Sequence, residues 1–365
     1  MKKSLFVMLA ATMLFMGCQG KKENTIKVAC NLPFSGELSF YGQYLKDGIS
    51  MAMNDLSDSL QLYNIDLEFD FQDNNSTSKG AVSVFNMQRM KGFDLYASCC
   101  TAQTMSIMDN VSKTGKPHFI WSFYPLELLP DTDLYRVWID MAYEGVCFME
   151  YIRQHNPKTV AFIYQDLSST DEQFNKRILP FVKEQGVEVV INHPYPTDKK
   201  DFKDIVSRVS TLNPDITIIY GFQNQLMELI KGFTNYGYKK DGNILCSFDF
   251  MDVQNILAPS YLDGIVTNIP NFIICNDSDV ITWKERFESR YGRKPLFTDA
   301  YAYDFVTVLF EVYKAIGKDP SISFDQAIKL VDIKGVTGPL SFSETGQLSN
   351  NVVTCMSKNS TYIPM

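Results

Sequence analysis

The sequence lacks the short motifs by which most catalytic sites are recognised. It contains no GxSxG nucleophile elbow, no HExxH helix, no GxxxxGK[ST] phosphate loop and no GxGxxG dinucleotide turn. Histidine is scarce, and His118, His155 and His193 stand at no spacing that is typical of a metal site. We therefore expect a protein that is not an enzyme, with no catalytic residue, no metal site and no cofactor.

Positive charge is also in short supply. The chain has 34 Lys and Arg against 42 Asp and Glu, which gives a formal net charge of −8. An acidic balance of this size argues against nucleic acid as a partner. The hydrophobic fraction of 45% is ample for large cores, and the length of 365 residues allows two domains of ordinary size.

Long apolar runs are absent beyond the N-terminus. The run from Leu5 to Phe15 follows Lys2 and Lys3 and is too short to span a bilayer, so we predict a signal peptide over residues 1–17. Gly17-Cys18 resembles the lipobox of bacterial lipoproteins, which makes Cys18 the predicted lipidation site and residues 18–25 a tether. The alternative is ordinary cleavage, with Cys18 an incidental thiol. The first interpretation predicts an exported protein that is lipid-anchored to a cell membrane, in a periplasmic or other extracytoplasmic location.

The cysteines lack the pattern of a disulfide framework. Seven remain after Cys18, an odd number at irregular spacing, and the adjacent Cys99 and Cys100 do not form a CxxC motif. We interpret them as small buried apolar residues. No histidine belongs to a motif with the adjacent pair, which argues against a thiol nucleophile. One alternative stays open, because Cys30 and Cys99 end strands that are candidates for neighbours and would then be placed for a bridge.

What the chain does contain is a regular alternation of strands and helices. The first round predicts strands at 26–31, 66–72, 93–98, 116–122 and 134–139, and helices at 39–60, 77–90, 102–113 and 143–155. The second round predicts strands at 158–166, 187–193, 215–221 and 243–249, and helices at 171–185, 202–212 and 225–236. Such alternation predicts parallel sheets with right-handed crossovers, and two rounds predict an α/β protein with two Rossmann-like lobes.

Polar and aromatic residues gather where the predicted strands end. These ends read "NLPFSGELSFYG", "ASCCTAQT", "WSFYP", "YQDLSST", "YGFQNQ" and "SFDFMD". Ligands of open parallel sheets bind outside the carboxyl ends of the strands. The composition of these ends therefore predicts a pocket for a small molecule that is partly polar and partly apolar.

The order of the elements and several segments resemble the type I periplasmic binding proteins, in particular the leucine/isoleucine/valine-binding branch of ABC importers. The resemblance covers nearly the whole chain after the predicted signal peptide. It rests on these segments: "PFSGELSFYGQYLKDGISMAMNDL", "KPHFIW", "YRVWIDMAYEG", "EQGVEVV", "KKDFKDIVSRV", "NPDITIIYG", "YGRKPLFTDAYAYD" and "VTGPLSFSETGQ".

The resemblance implies a clamshell of two lobes that are joined by three crossings of the chain. Lobe 1 is then expected over residues 26–139 plus 271–340, and lobe 2 over residues 140–270 plus 341–365. The ligand is expected between the lobes, which close around it.

The resemblance also implies a set of ligand-binding residues. The carboxylate of an amino acid would meet the third strand end, at Cys100, Thr101 and Ala102. Further contacts would come from the fourth strand end, where the carboxylate would meet Ser122 while Phe123 and Tyr124 would serve as apolar walls beside Trp121. The ammonium of the amino acid would meet Asp249. The remaining expected contacts are Tyr41, Phe222 and Gln223. The sequence departs from the family at "SCCTAQ", where a thiol replaces an expected hydroxyl, and at "WSFYP", which is far bulkier than usual.

Each of these residues also has a purely structural interpretation. Asp249 is a favoured residue for the cap of a helix that starts near Met251, and Thr101 and Ser122 are suited to helix caps. Tyr41 is equally suited to packing, and Trp121, Phe123 and Tyr124 to sealing the wall between the lobes.

The family resemblance implies the solute receptor of an ABC importer, a monomer that hands an amino acid or a related small carboxylate or amide to a membrane permease. The alternative is a lipid-anchored sensor or interaction protein that uses the same clamshell to report its ligand to a partner.

Overall fold

The computed structural model describes residues 25–123, 133–221, 223–238, 241–254, 256–349 and 352–365. The predicted signal peptide, Cys18, Tyr124 and Phe222 lie outside the described residues. The strands are β1 (Thr25–Leu32), β2 (Asp66–Asp73), β3 (Leu95–Cys99), β4 (His118–Trp121), β5 (Leu134–Arg136), β6 (Thr159–Gln165), β7 (Glu188–Tyr195), β8 (Ile216–Tyr220), β9 (Ile244–Cys246), β10 (Ile265–Pro270), β11 (Ile333–Lys334), β12 (Pro339–Leu340), β13 (Val352–Lys358) and β14 (Thr361–Pro364).

As far as β9, the helices alternate with these strands as the sequence predicts. They are α1 (Ser39–Asp55), α2 (Ser57–Leu62), α3 (Ser78–Lys91), α4 (Thr101–Ser112), α5 (Met141–His155), α6 (Ser168–Gln173), α7 (Leu179–Glu184), α8 (Lys203–Leu212), α9 (Gln223–Asn235), α10 (Phe250–Gln254), α11 (Pro259–Leu262), α12 (Ser278–Tyr291), α13 (Phe297–Lys318) and α14 (Phe324–Lys329). A π-helical turn over Phe174–Ile178 joins α6 to α7. None of the helices within the described ranges is long and apolar enough to cross a membrane.

Two main sheets organise the described residues. The first has the strand order β2-β1-β3-β4-β5, and every pair in it is parallel. The second has the order β14-β13-β10-β9-β8-β6-β7, in which the strands from β6 to β10 are parallel. Each sheet places β1 or β6 between strands that follow it along the chain, which is the doubly wound arrangement of a Rossmann-like lobe. The predicted fold class, α/β with two such lobes, is confirmed.

The edge of the second sheet departs from the all-parallel expectation. β13 runs antiparallel to both β10 and β14. The C-terminal segment reaches β10 without a crossover helix, and the turn at residues 359–360 then reverses it as a hairpin. A direct return of this kind produces antiparallel pairing.

The segment before β13 belongs with the first sheet. The amide of Arg136 in β5 donates to the carbonyl of Gly346 at 2.8 Å, and the amide of Leu348 donates to the carbonyl of Arg136 at 3.0 Å. We therefore propose that the third crossing of the chain lies after Ser349. The boundary at residue 341 that the sequence suggested falls inside this paired segment.

Polar side chains tie the first crossing to the third. Arg136 is fully buried, and its guanidinium donates to Asp140 at 3.1 Å and to the side chain of Gln347. The Gln347 amide in turn donates to the carbonyl of Trp138 at 3.1 Å. These bonds fix the chain direction at the point where it leaves lobe 1, and one of them holds the backbone of Trp138.

Tertiary contacts also decide where α1 ends. The sequence predicts one helix over residues 39–60, but α1 ends at Asp55 and α2 begins at Ser57. Asp55 accepts a hydrogen bond from the Tyr303 hydroxyl of α13 at 3.1 Å and pairs with Arg286 of α12. Both partners lie more than 200 residues away along the chain, so a local pattern could not mark this break.

Candidate functional site

The first polar region of the candidate site is the N-terminus of α4. Cys100 occupies the position before this helix, and its side chain accepts no hydrogen bond from the first backbone amides of α4. The Thr101 hydroxyl accepts a hydrogen bond from the amide of Phe123 at 3.3 Å, which joins the ends of β3 and β4. The suggestion that Thr101 caps the helix is thus wrong, because Cys100 occupies the cap position.

Ser122 belongs to the neighbouring strand end. It follows β4, it is 1% exposed, and its Oγ has no hydrogen-bond partner among the described residues. A buried hydroxyl without a partner costs about 1–3 kcal/mol. Together with the amides of α4, it gives lobe 1 donors for an anionic group.

An aromatic cluster joins the two lobes. It is centred on Trp138, whose ring lies 6.5 Å from that of Tyr41, 6.3 Å from that of Phe123 and 5.1 Å from that of Phe297. The ring of Phe123 also lies 4.9 Å from that of Phe248, which follows β9 in lobe 2. We refer to these five residues, Tyr41, Phe123, Trp138, Phe248 and Phe297, as the aromatic cluster.

The indole of Trp138 adds a polar atom to this apolar surface. Trp138 is 4% exposed, and its Nε1 has no hydrogen-bond partner among the described residues. Buried indole N–H groups usually find an acceptor. The cluster therefore presents one unused donor beside the contact between the lobes.

The second polar region lies in lobe 2 and contains two acids. Glu144 of α5 is buried, and its carboxylate accepts hydrogen bonds from the amide of Phe248 at 2.7 Å and from the Tyr220 hydroxyl. Asp249 is 7% exposed and accepts a hydrogen bond from the Ser247 hydroxyl at 3.0 Å. We refer to Glu144, Tyr220, Ser247 and Asp249 as the acid cluster.

The two acids influence each other. The pKa of Glu144 is raised to about 8, chiefly by burial, which outweighs the hydrogen bonds from Tyr220 and Phe248; the nearby charge of Asp249 contributes to the rise. Burial and the Glu144 carboxylate likewise hold the pKa of the Tyr220 hydroxyl well above its ordinary value. At pH 7 the Glu144 side chain is thus mostly protonated.

A small cavity opens next to the aromatic cluster. Its volume is about 260 Å³, and it is lined by Tyr41 and Phe297 of lobe 1 and by Ile256 beyond α10 of lobe 2. The remaining lining residues are Phe40, Tyr44, Leu296 and Thr298. Residues of both lobes therefore share one apolar opening.

The structure brings several of the predicted site residues together. Thr101 contacts Phe123 directly, Phe123 and Tyr41 both meet Trp138, and Phe123 meets Phe248, the neighbour of Asp249. Cys100 is half-buried beside Thr101, whereas Ala102 is exposed and its carbonyl accepts from Ser78 at 3.1 Å. Tyr124, Phe222 and the side chain of Gln223 lie outside what the structure describes.

Other sequence-based suggestions need correction. Trp121 does not form the wall between the lobes, because it is 1% exposed and packs in the core with its ring 5.0 Å from that of Phe305. Cys30 and Cys99 do lie on neighbouring strands, but Cys30 is opposite Ala97 and both thiols are free. No group of His, Cys, Asp and Glu within the described ranges could hold a metal ion.

Sequence reasoning missed Trp138, Glu144, Phe248 and Phe297. Trp138 follows the end of β5, so the rule that ligands lie beyond strand ends would have found it. Glu144 carries no such signal, because a single acid near the start of a helix is usually exposed. Phe297 lies on a helix far along the chain, and only the packing of α13 brings it to the cleft.

Comparison with known proteins agrees with this architecture. The periplasmic binding protein family matches the chain over residues 25–359. A leucine-binding protein LivK from Thermotoga maritima superposes with a TM-score of 0.76 at 18% identity, over 93% of this chain and 97% of that one. The substrate-binding protein LivJ from Streptococcus pneumoniae, in complex with isoleucine, gives 0.75 at 19% identity over 93% and 98%.

A third solved structure carries a different kind of ligand. It is a solute-binding protein of an ABC transporter from R. palustris in complex with 4-hydroxybenzoate, with a TM-score of 0.77 at 18% identity over 94% of this chain and 96% of that one. At these identities the likeness to solved structures concerns the fold. The family match spans nearly all of the described residues, and the chain therefore belongs to the periplasmic binding protein family.

Proposed function

We propose that this protein is the lipid-anchored solute receptor of an ABC importer and that it binds an amino acid with an apolar or aromatic side chain between its lobes. The observation that carries the proposal is the 4.9 Å contact between the rings of Phe123 and Phe248. Ser122 precedes one ring and Asp249 follows the other, so the contact joins a region of donors to a region of negative charge.

A zwitterion that leaves water needs a partner for each of its charges. In lobe 1, the first amides of α4 and the hydroxyls of Thr101 and Ser122 suit the carboxylate. In lobe 2, Asp249 suits the ammonium, while the protonated Glu144 supports the strand end on which Asp249 lies. Charge-assisted hydrogen bonds of this kind are roughly twice as strong as neutral ones.

The aromatic cluster supports the choice of side chain. Aromatic rings of lobe 1 surround Trp138, and Phe248 of lobe 2 meets one of them, Phe123. A flat or branched apolar group would cover these rings when the lobes close. The unused Nε1 of Trp138 offers one donor to a polar substituent on that group. Two of the structural relatives are in complex with isoleucine and with 4-hydroxybenzoate, and these ligands represent the two classes of solute to be compared.

A thermal-shift screen of the purified chain tests the proposal. We expect stabilisation by apolar and aromatic L-amino acids, since a ligand at 100 times its Kd adds about 2.7 kcal/mol to the free energy of unfolding. Benzoate and 4-hydroxybenzoate, which lack an ammonium, serve as the matched comparison. Stabilisation by the benzoates alone would show that the solute is an aromatic carboxylate, and stabilisation by neither class would refute solute binding of this kind.

Two variants then separate the halves of the site. Asp249→Asn should lower the affinity for an amino acid by roughly 30-fold to several thousand-fold, which corresponds to about 2–5 kcal/mol for a lost partner of a charged group. Ser122→Ala should lower the affinity for amino acids and for benzoates alike. Asp241→Asn, at an exposed turn of lobe 2, is the control and should bind as the unchanged protein does. Equal affinity in Asp249→Asn would show that no ammonium binds there.

The anchor has its own test. We expect the unchanged protein to fractionate with membranes and Cys18→Ala to be released or to remain unprocessed, because the lipid is attached through the Cys18 thiol. If Cys18→Ala matures and fractionates as the unchanged protein does, the protein is not a lipoprotein. This result would leave the solute site untouched, since Cys18 lies outside the family match.

A further inference from the structure

Two adjacent cysteines lie at the end of β3, directly before α4. Cys99 is the last residue of the strand and Cys100 is the single residue between strand and helix. Their Sγ atoms are 3.2 Å apart, and both thiols are free. A disulfide has an S–S distance of about 2.05 Å, so a movement of roughly 1 Å would bring the two sulfurs to bonding distance.

The backbone of this pair is held in an unusual conformation. Cys100 has φ +69° and ψ 134°, a region that residues other than glycine rarely adopt. Its amide donates to the carbonyl of Trp121 at 3.1 Å, and its carbonyl accepts from the amide of Thr104 at 2.9 Å. Bonds on both sides therefore fix Cys100 in the conformation that places its sulfur against that of Cys99.

The two thiols differ in accessibility. Cys99 is 2% exposed, and burial holds the pKa of its thiol well above the ordinary value, whereas Cys100 is half-buried. A buried thiol with a raised pKa is a poor first nucleophile. The accessible Cys100 is thus the thiol that reacts with an external partner, and Cys99 is the thiol that resolves the product.

We propose that Cys99 and Cys100 form a reversible disulfide between neighbouring residues, with a low-molecular-weight disulfide as the oxidant. The Cys100 thiolate attacks one sulfur of the oxidant, whose S–S bond breaks, and the released thiolate takes up a proton. Cys99 then loses its proton and attacks Sγ of Cys100, which expels the second thiol. Two protein thiols are oxidised, and one external disulfide is reduced to two thiols.

Such a bond would be easily reversed. The Cα atoms of adjacent residues are about 3.8 Å apart across a trans peptide, below the usual range of about 4.4–6.8 Å for disulfide-linked residues. Strained disulfides are readily reduced and belong to the labile or regulatory class. An exported location, as proposed above, would supply the oxidising conditions under which the bond forms.

The bond would also change the solute site, a consequence that rests on the proposed function. Cys100 is followed at once by Thr101, whose hydroxyl accepts from the amide of Phe123 at 3.3 Å. A movement of Cys100 therefore displaces the first turn of α4, where the carboxylate of the solute is proposed to bind. We expect the reduced and the oxidised protein to differ in solute affinity.

The experiment uses the full chain, equilibrated in mixtures of reduced and oxidised glutathione, then blocked with iodoacetamide under denaturing conditions and digested with trypsin. The tryptic peptide Gly92–Lys113 contains Cys99 and Cys100 and no other cysteine. We expect this peptide to carry two alkyl groups in the reduced mixtures. In the oxidised mixtures it should be unalkylated and about 2 Da lighter than the dithiol peptide, since disulfide formation removes two hydrogens.

Two single variants, Cys99→Ser and Cys100→Ser, identify the roles of the thiols. Cys99→Ser should accumulate glutathione on Cys100, and Cys100→Ser should remain unmodified at the buried Cys99. The pair is not a disulfide site if the peptide carries two alkyl groups in every mixture. The pair is likewise not a disulfide site if the glutathione adduct of this peptide is the final product, or if the peptide is cross-linked to the one that contains Cys30.

Solute affinity is measured afterwards on the fully reduced and fully oxidised forms. A severalfold difference is expected, and equal affinities would refute the coupling between the disulfide and the site. The peptide mass does not depend on any solute. A disulfide that forms in a protein that binds no solute would therefore refute the proposed function and leave the disulfide site standing.

Discussion

Glu144 offers the sharpest test of the electrostatics of lobe 2. The perturbation is Glu144→Gln, which removes the titrating group. In the unchanged protein the amide of Phe248 donates to the carboxylate at 2.7 Å, and the carbonyl oxygen of Gln keeps an acceptor for it. The side chain is 1% exposed, so the substitution acts within a fully packed environment. Gln is close to Glu in volume, and we expect the variant to fold.

The magnitude follows from the raised pKa. Burial, with the charge of Asp249, raises the pKa of Glu144 from 4.5 to about 8. Between these two values the folded chain holds a proton that the unfolded chain has released, so the free energy of unfolding falls as the pH rises. The contribution of Glu144 to the free energy of unfolding is fully present below pH 4.5 and is lost by pH 8. At about 1.4 kcal/mol per pKa unit, this contribution amounts to roughly 5 kcal/mol.

The assay is urea unfolding at intervals from pH 5 to pH 9, followed by tryptophan fluorescence. We compare each variant with the unchanged protein at the same pH, which cancels the titration of all other groups. The advantage of Glu144→Gln over the unchanged protein should grow by about 4 kcal/mol between pH 5 and pH 9. Glu150→Gln, an exposed position on the same helix, is the control and should differ by less than about 1 kcal/mol at every pH.

Parallel stability curves for Glu144→Gln and the unchanged protein would refute this reasoning. They would mean that the carboxylate is as well stabilised in the fold as in water, with the hydrogen bonds from Tyr220 and Phe248 outweighing burial. Glu144 would then be charged near neutral pH, and an ammonium bound beside Asp249, as proposed above, would meet a second negative group.

Two further predictions concern lobe 1. Burial lowers the pKa of His118 to about 3, so the folded protein takes up this proton less readily than the unfolded chain as the pH falls from 6.5 to 3. In acid unfolding, His118→Gln should therefore remove about 1.4 kcal/mol per pH unit from the fall in the free energy of unfolding over this range. An unchanged slope would contradict this prediction. Gly42→Ala should lower the free energy of unfolding by about 1–3 kcal/mol, because its Cβ would lie 1.8 Å from the carbonyl oxygen of Pro33. Gly317→Ala, a helical glycine with open space around it, is the control and should be neutral or stabilising; equal melting temperatures for the two variants would refute the steric argument.

The same Gly42 accounts for the segment that follows β1. "PFSG" turns the chain beyond β1, and α1 then passes so close to Pro33 that only glycine fits at position 42. The approach fixes the start of α1 beneath the turn, and it places Tyr41 next to Trp138. Part of this segment thus serves packing, and the contribution of Tyr41 to a solute site remains a proposal.

The order of residues predicts the alternation of strands and helices, the two lobes and the positions of the strand ends. It does so because burial leaves a local periodic pattern and because the strands of one parallel sheet end at the same edge. The strand ends that contain Thr101, Ser122, Phe123 and Asp249 could therefore be predicted from the order of residues, whereas the choice of these four residues within them came from the family resemblance.

Which polar groups meet depends on tertiary packing. Glu144 and Phe248 are 104 residues apart, and their hydrogen bond depends on how α5 packs against the end of β9. The aromatic cluster depends on the approach of the two lobes, and the left-handed backbone of Cys100 depends on the bonds that hold it between β3 and α4. Periodicity reports whether a residue is buried, but the partner of a buried group is chosen by elements that are distant in the chain.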